Sequence, residues 1–401
     1  MSEGVGDGPV PRGPRGPVPS WLLVLGAYAL TRLAVLAATG VVAALHLTGP
    51  RCGHATPVPI RGVADLARCW DTRWFVETAT AWYPASLPEP GEQTTLAFFP
   101  GYPALVAAVH APGVPAVWAA VLVSLALGGV ATLLVWRLAL CVAPPDGALR
   151  AAVLFCCFPG AVVLSWGYSE ALAAALVGGC LVALHRRRWL LGGLVAAAAG
   201  ATRVDVGVGL LVAAAAAAVA AGRRDGERRA VVAPLVAPLG TLGVWALLWW
   251  RTGSPRAWTL AQERGWDQHM DFGTHAVNTV GRVAAHPFRS PTSVVQLVTL
   301  VLLAGGLACL AWWARGALRA GGDAARAVLP WIAYTAVMVL VMLASNQVGF
   351  RPRAVLLLLP AFVAVAVRLP RPAAAWVAGT FAVAQTLLLV MYLGIPSIFP
   401  P

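Results

Sequence analysis

Leu210-Leu211-Val212, six consecutive alanines at 213–218 and Val219-Ala220-Ala221 form a run that is apolar on every side. A transmembrane β-strand would alternate apolar and polar residues, and a surface helix would keep one polar face. The run therefore reads as a helix surrounded by apolar matter. Comparable segments recur on either side of it, at 20–45, 114–140, 149–166, 169–185, 189–201, 206–221, 230–250, 292–314, 327–345, 353–368 and 373–394. Several approach about 20 residues, enough to cross a hydrocarbon core of roughly 30 Å. Of the 401 residues, 59% are hydrophobic and 11% charged, with a mean hydropathy of +0.75. That is too little charge to cover a soluble domain. The expected fold class is all-α, a polytopic membrane protein with about eleven transmembrane helices.

Orientation follows from arginine, since all 29 basic residues are Arg. With the N-terminus cytoplasmic, sixteen fall in interior connections, twelve outside and one, Arg32, inside the first span. The short interior runs Arg186-Arg187-Arg188 and 223–229 weigh most, because the positive-inside bias acts through short loops. The N-terminus is then cytoplasmic and the C-terminus extracytoplasmic. Residues 1–19, rich in Gly and Pro, are expected to be a disordered cytoplasmic tail. Residues 20–401 read as one transmembrane domain that starts with an uncleaved span. Its two long connections, 46–113 and 251–291, both fall outside, so the expected work is done on that face. The net charge of +13 suits anionic lipid head groups. Arginines scattered between apolar segments form no basic stripe, so no nucleic-acid partner is expected.

The seven cysteines (52, 69, 141, 156, 157, 180, 309) have no zinc-type spacing. Cys52 and Cys69 share the first exterior loop, where a disulfide is open to them. Asp65, Asp71 and Asp205 stand isolated, so no metal and no cofactor are expected.

The first exterior loop contains Cys69-Trp70-Asp71-Thr72-Arg73-Trp74-Phe75-Val76-Glu77. Read as a helix, it places Trp70, Trp74 and Glu77 on one face and Asp71, Phe75 and Thr78 on the next. Such tryptophans suit a helix lying in the membrane interface, with Asp71 held at that level. Asp71 could equally cap the helix or pair with Arg73. Phe98-Phe99-Pro100-Gly101-Tyr102-Pro103 makes a rigid, non-helical entry into the next helix. Short turns then bring Glu170, Arg203 and Asp205 to the exterior face, with Arg351 and Arg353 further on. An Arg within a span is expensive unless paired or wet, which makes each a functional candidate. A structural pair of Arg203 with Asp205 or Glu170 is the alternative. Arginines facing a carboxylate also suit a phosphate diester.

Taken in order, these residues resemble the PIG-V mannosyltransferases, which add the second mannose to the GPI-anchor precursor in eukaryotes and have bacterial relatives. The resemblance rests on Trp70-Asp71-x-x-Trp74, Phe98-Phe99-Pro100-x-Tyr102-Pro103, Phe158-Pro159, Tyr168-Ser169-Glu170 and Thr202-Arg203. It continues with Gly253-Ser254-Pro255-Arg256-Ala257-Trp258, Gln262 and Trp266, and with Arg351 or Arg353 followed by Pro360. The family is similar in architecture to the GT-C glycosyltransferases, whose large first exterior loop carries an acidic base. The resemblance implies a polyprenyl-phosphate-mannose donor, a glycolipid acceptor and inverting transfer at the outer face of the lipid bilayer. It implies Asp71 as catalytic base and Arg203, Arg351 and Arg353 as ligands of the donor phosphate. Trp70, Trp74, Tyr102, Tyr168, Glu170, Gln262 and Trp266 would contact substrate. Where the family has Ala or Ser and then Tyr, this chain has Thr72, Arg73 and Phe75, which sets an arginine beside the base. A lipid or lipid-linked-sugar transporter without chemistry, or a GT-C transferase for another sugar or a protein acceptor, are the competing readings.

Overall fold

The computed structural model describes residues 19–45, 65, 69–346 and 350–395. In chain order its helices begin with α1 (Ser20–Ala44), α2 (Trp70–Ala81), α3 (Gly101–His110), α4 (Ala116–Ala139), α5 (Pro145–Cys157), α6 (Glu170–His185), α7 (Trp189–Gly200) and α8 (Val204–Asp225). There follow α9 (Val232–Val236), α10 (Leu239–Thr252), α11 (Ala257–Trp266), α12 (Thr274–Ala285), α13 (Pro291–Ala320), α14 (Gly322–Ala344), α15 (Pro352–Leu356), α16 (Leu359–Arg368) and α17 (Arg371–Gly394). Among the described residues there is no strand, only an isolated bridge between Met270 and Ser345. The all-α class is observed.

Each of the eleven apolar segments coincides with helix. Among the described residues seven helical spans are long and apolar enough to cross a membrane, one of them Arg228–Thr252, which takes in α9 and α10, and α5 with the 3₁₀ turn Pro159–Ser165 makes an eighth if counted as one bent span. The remaining three segments are the shorter apolar helices α6, α7 and α16. Large apolar side chains lie on the outside of the bundle: Leu30 on α1, Trp250 on α10, Leu340 on α14 and Trp376 on α17 are all more than 60% exposed. Side chains of this kind on the outer face need lipid around them. The chain is a multi-pass membrane protein. Residues 1–18, which include nearly all of the expected tail, and Cys52 lie outside the described residues. Cys69 is disulfide-bonded.

The apolar segment 149–166 is broken at Phe158-Pro159 and bent by 75°. Proline has no N–H and cannot continue the helix, so carbonyls around the break lose their partners. Arg32, buried in α1, supplies donors from a different helix: to Ala161 O at 2.5 Å, Cys156 O at 2.9 Å and Ser165 Oγ at 3.0 Å. Gln385 of α17 accepts from Arg32 at 3.0 Å and donates to Phe158 O at 2.7 Å. An arginine that has no assigned role in the sequence thus clasps the break from one side and a glutamine from the other. Gly160, within the turn, lies against the Pro352 backbone so closely that a Cβ would overlap it. The bend therefore sets where α15, and with it Arg353, can sit.

The two long connections pack on each other at one end of the bundle. Arg251 donates to Tyr83 O at 2.9 Å, Arg264 to Pro88 O at 2.7 Å and Gln262 to Ala97 O at 3.0 Å. Residues 267–273 are tied to the end of α14, with the Asp271 N–H donating to Ala344 O at 2.9 Å. Each bond joins segments far apart in sequence, and together they make a cap over the helix ends.

Candidate active site

Beneath this cap the charged candidates meet in one chain of alternating sign. Asp205, in the first turn of α8, accepts from Arg203 twice, at 3.1 Å from Nε and 2.9 Å from Nη2. Arg203 Nη1 donates to Glu170 Oε1 at 3.0 Å, and Arg353 Nη1 lies 3.6 Å from that same oxygen. Arg353 Nη1 also donates to Asp71 Oδ2. The chain therefore runs Asp205, Arg203, Glu170, Arg353, Asp71. Both structural pairs open to Arg203 form at once. Asp71 does not pair with Arg73: it is not a side-chain cap of α2, and Arg73 is exposed with its guanidinium 4.9 Å over the Trp74 ring.

Helix starts bring these groups together. Asp71, Glu170 and Asp205 each stand in the first turn of a helix, where a carboxylate is favoured by the exposed N–H groups. The side chains differ in access. Glu170 is 2% exposed, Asp205 13%, Arg353 14%, Arg203 25% and Asp71 28%, so the chain is sealed at Glu170 and Asp71 is the most accessible of its carboxylates. Burial, and Arg353 two residues on, push the Arg351 guanidinium below its ordinary pKa, and the charge of Asp71 opposes this. A guanidinium in that setting favours a further anion nearby.

The turn Gly167-Tyr168 forms the floor. Gly167 packs on Thr72 and Ala120, where any Cβ would overlap Thr72 Cγ2. Ser124 of α4 accepts from Tyr168 N–H at 3.1 Å and donates to Tyr168 O at 3.1 Å, and its own hydroxyl meets the Tyr102 OH at 2.7 Å. Tyr102 is fully buried, and its hydroxyl oxygen also lies 2.7 Å from Ala120 O. Its hydroxyl is spent inside the fold, one layer behind the opening, in place of the substrate contact expected of it. The Tyr168 ring lies under Arg353, 5.3 Å from its Cζ.

Aromatic side chains make the walls. Trp70 stacks on Trp166 at 5.5 Å, and Tyr392 of α17 meets the edges of both at 6.3 and 6.2 Å. Trp70 adopts φ 51°, a left-handed conformation that a bulky residue rarely takes, immediately before Asp71. Trp74 is buried against Phe98 (5.9 Å) and Trp266 (5.4 Å), and Trp266 also meets Phe98. The face of α2 expected among lipid head groups is turned inward here, because these aromatic partners arrive from the cap. Gln262 is engaged by Ala97 O beside them.

Four buried polar atoms on this floor lack a hydrogen-bond partner among the described residues: Thr72 Oγ1, Trp166 Nε1, Tyr168 OH and Glu170 Oε2. Buried polar atoms are almost always satisfied, so four orphans around one chain of charges mark a place for water or ligand. Thr72, Trp166 and Tyr392 are members that sequence reasoning did not select. The orphaned atoms that reveal the first two are a property of packing. Tyr392 stands in an ordinary apolar span and carries no local signal.

No protein-family model and no curated protein matches this chain. Among solved structures it is similar to the Archaeoglobus fulgidus oligosaccharyltransferase in its apo form, with a TM-score of 0.55 and 12% identity over 93% of this chain and 56% of the other. It is similar to ArnT from Cupriavidus metallidurans bound to undecaprenyl phosphate, with a TM-score of 0.55 and 14% identity over 92% of this chain and 71% of ArnT. A third likeness, with a TM-score of 0.50 and 14% identity, is to the oligosaccharyltransferase AglB from Archaeoglobus fulgidus in complex with an inhibitory peptide and a dolichol-phosphate. This chain spans only a little over half the length of the oligosaccharyltransferases. The likenesses define a GT-C-like fold. They reach that fold and not the PIG-V family in particular.

Proposed function

We propose that this chain is an inverting glycosyltransferase that moves mannose from a polyprenyl-phosphate donor to a glycolipid hydroxyl at the outer face of the membrane. The observation that carries this reading is the charge chain opening at Asp71, the one carboxylate in it with substantial access, beside a guanidinium suited to phosphate. Two similar structures hold polyprenyl phosphates, undecaprenyl phosphate and dolichol-phosphate, which supports the donor class. Mannose and a glycolipid acceptor come from the order of the PIG-V-like motifs. The N-terminus is cytoplasmic and the C-terminus extracytoplasmic on the distribution of arginine.

In the reaction the acceptor oxygen attacks the anomeric carbon while its proton passes to the Asp71 carboxylate. The bond from that carbon to the phosphate oxygen breaks, and its electron pair leaves with polyprenyl phosphate. The new bond forms on the opposite face, so a β-linked donor becomes an α-mannoside. The leaving group is a stable anion and needs no general acid. Arg353 and Arg351 place positive charge where the phosphate gains negative charge. Arg203, held by two carboxylates, supports Glu170. Trp70 and Tyr168 border the opening, and Trp74, Gln262 and Trp266 hold the cap over it.

The test is to incubate the purified full chain with polyprenyl-phosphate mannose and a panel of membrane glycolipids. Release of polyprenyl phosphate with a mannosylated lipid is expected. A donor left intact with every acceptor, but moved across a vesicle membrane, would establish transport instead.

A further inference from the structure

Arg353 stands between two carboxylates, and the two hold it differently. Glu170 is sealed from solvent and fixed by Arg203, whereas Asp71 is the exposed end of the chain. Asp71 also holds the guanidinium through Oδ2, and that ion pair fixes where the carboxylate points for as long as it lasts. Counting the groups at the site, three carboxylates (Asp71, Glu170, Asp205) face three guanidiniums (Arg203, Arg351, Arg353), so the protein's own charges balance. A donor phosphate brings one more negative charge into this balanced set. Arg203 has its Nε and both Nη atoms committed to Asp205 and Glu170.

Resting on the transferase reading, we propose that the donor phosphate binds by taking the place of the Asp71 carboxylate on Arg353. Glu170 is then the positioning residue that keeps Arg353 in register while its other partner is exchanged. The displaced Asp71 is released toward the opening with both oxygens available to an acceptor. The base is thus armed only when donor is present. No bond to carbon or phosphorus changes in this step; one ion pair is traded for another, and the proton moves later, from acceptor to Asp71.

The proposal makes an unusual demand on binding. Asp71 competes with phosphate for the same N–H group, so removing its charge should strengthen the affinity for polyprenyl phosphate while stopping transfer. The experiment is equilibrium binding of undecaprenyl phosphate to the purified full chain in detergent, for wild type, Asp71→Asn and Asp71→Ser, each also in an Arg353→Gln background. The expected result is binding about tenfold tighter for both Asp71 variants. In the Arg353→Gln background the same substitutions should change affinity by less than about twofold, since the contested group is gone. Equal or weaker binding by both Asp71 variants, or a gain that persists without Arg353, overturns the exchange and leaves the transferase reading standing. No binding of polyprenyl phosphate by wild type overturns both.

Discussion

Glu170 Oε1 accepts from Arg203 at 3.0 Å and lies 3.6 Å from Arg353 Nη1, so one oxygen on α6 joins arginines from two other parts of the chain. The carboxylate is nearly sealed, and its second oxygen has no partner among the described residues. Removing one member of a buried charge set leaves the others uncompensated, at a cost of about 3 kcal/mol. Glu170→Gln should therefore lower the thermal unfolding midpoint of the purified protein by several degrees and reduce transfer. An unchanged midpoint would show that Arg203 and Arg353 are held by something else.

Tyr102 and Tyr168 are linked through Ser124, whose hydroxyl touches the Tyr102 OH and both backbone groups of Tyr168. Tyr102→Phe removes one buried hydrogen bond and should cost about 1 kcal/mol. Because that hydroxyl never reaches the opening, the variant should lower kcat while KM for the donor stays near wild type. A raised donor KM at unchanged kcat would return Tyr102 to the substrate-contact role.

Gly167 has no room for a methyl group against Thr72 and Ala120. Forcing one in should cost about 1–3 kcal/mol, since well-packed cores resist added carbon. Gly167→Ala is expected to lose both stability and transfer, and Gly167→Ala combined with Thr72→Ser, which removes the offending methyl, should regain part of both. Thermal unfolding of the pair decides it.

Arg32 donates to three oxygens around the Phe158-Pro159 break and to Gln385. Arg32→Leu would strand Ala161 O inside the bundle and leave Cys156 O with only the Gln385 amide at 3.3 Å, where an unsatisfied group costs on the order of 2 kcal/mol or more. The variant should express poorly and unfold at lower temperature, and Arg32→Gln, which keeps two donors, should recover some of the loss. Wild-type unfolding by Arg32→Leu would sever the link between this arginine and the bend.

Much of the fold was legible because apolar length is a local property: all eleven segments correspond to helix. The proline at Pro159 was visible too, but a single residue does not say how far a span bends. That angle depends on Arg32 and Gln385, which reach the break from α1 and α17 and are distant in sequence. At the site, the residues brought together are those the motifs named, Asp71, Tyr168, Glu170, Arg203 and Arg353. Their pairing was not legible. Arg73 adjoins Asp71 in sequence yet stands over Trp74, while Arg353 arrives from α15. Trp74 reads as an interfacial aromatic and Tyr102 as a substrate contact because nothing in a helical repeat shows that Phe98 and Trp266 fold over the one and Ser124 meets the other.

The central claim is that Asp71 takes the acceptor proton. Its most direct measurement is the rate of polyprenyl phosphate release from polyprenyl-phosphate mannose by Asp71→Asn protein, folded in membranes and shown to bind donor, beside wild type with the same acceptor. An amide keeps the shape and cannot serve as base, so release should fall by roughly a hundredfold or more. A rate within about twofold of wild type would contradict the assignment, since general-base catalysis normally contributes far more than that.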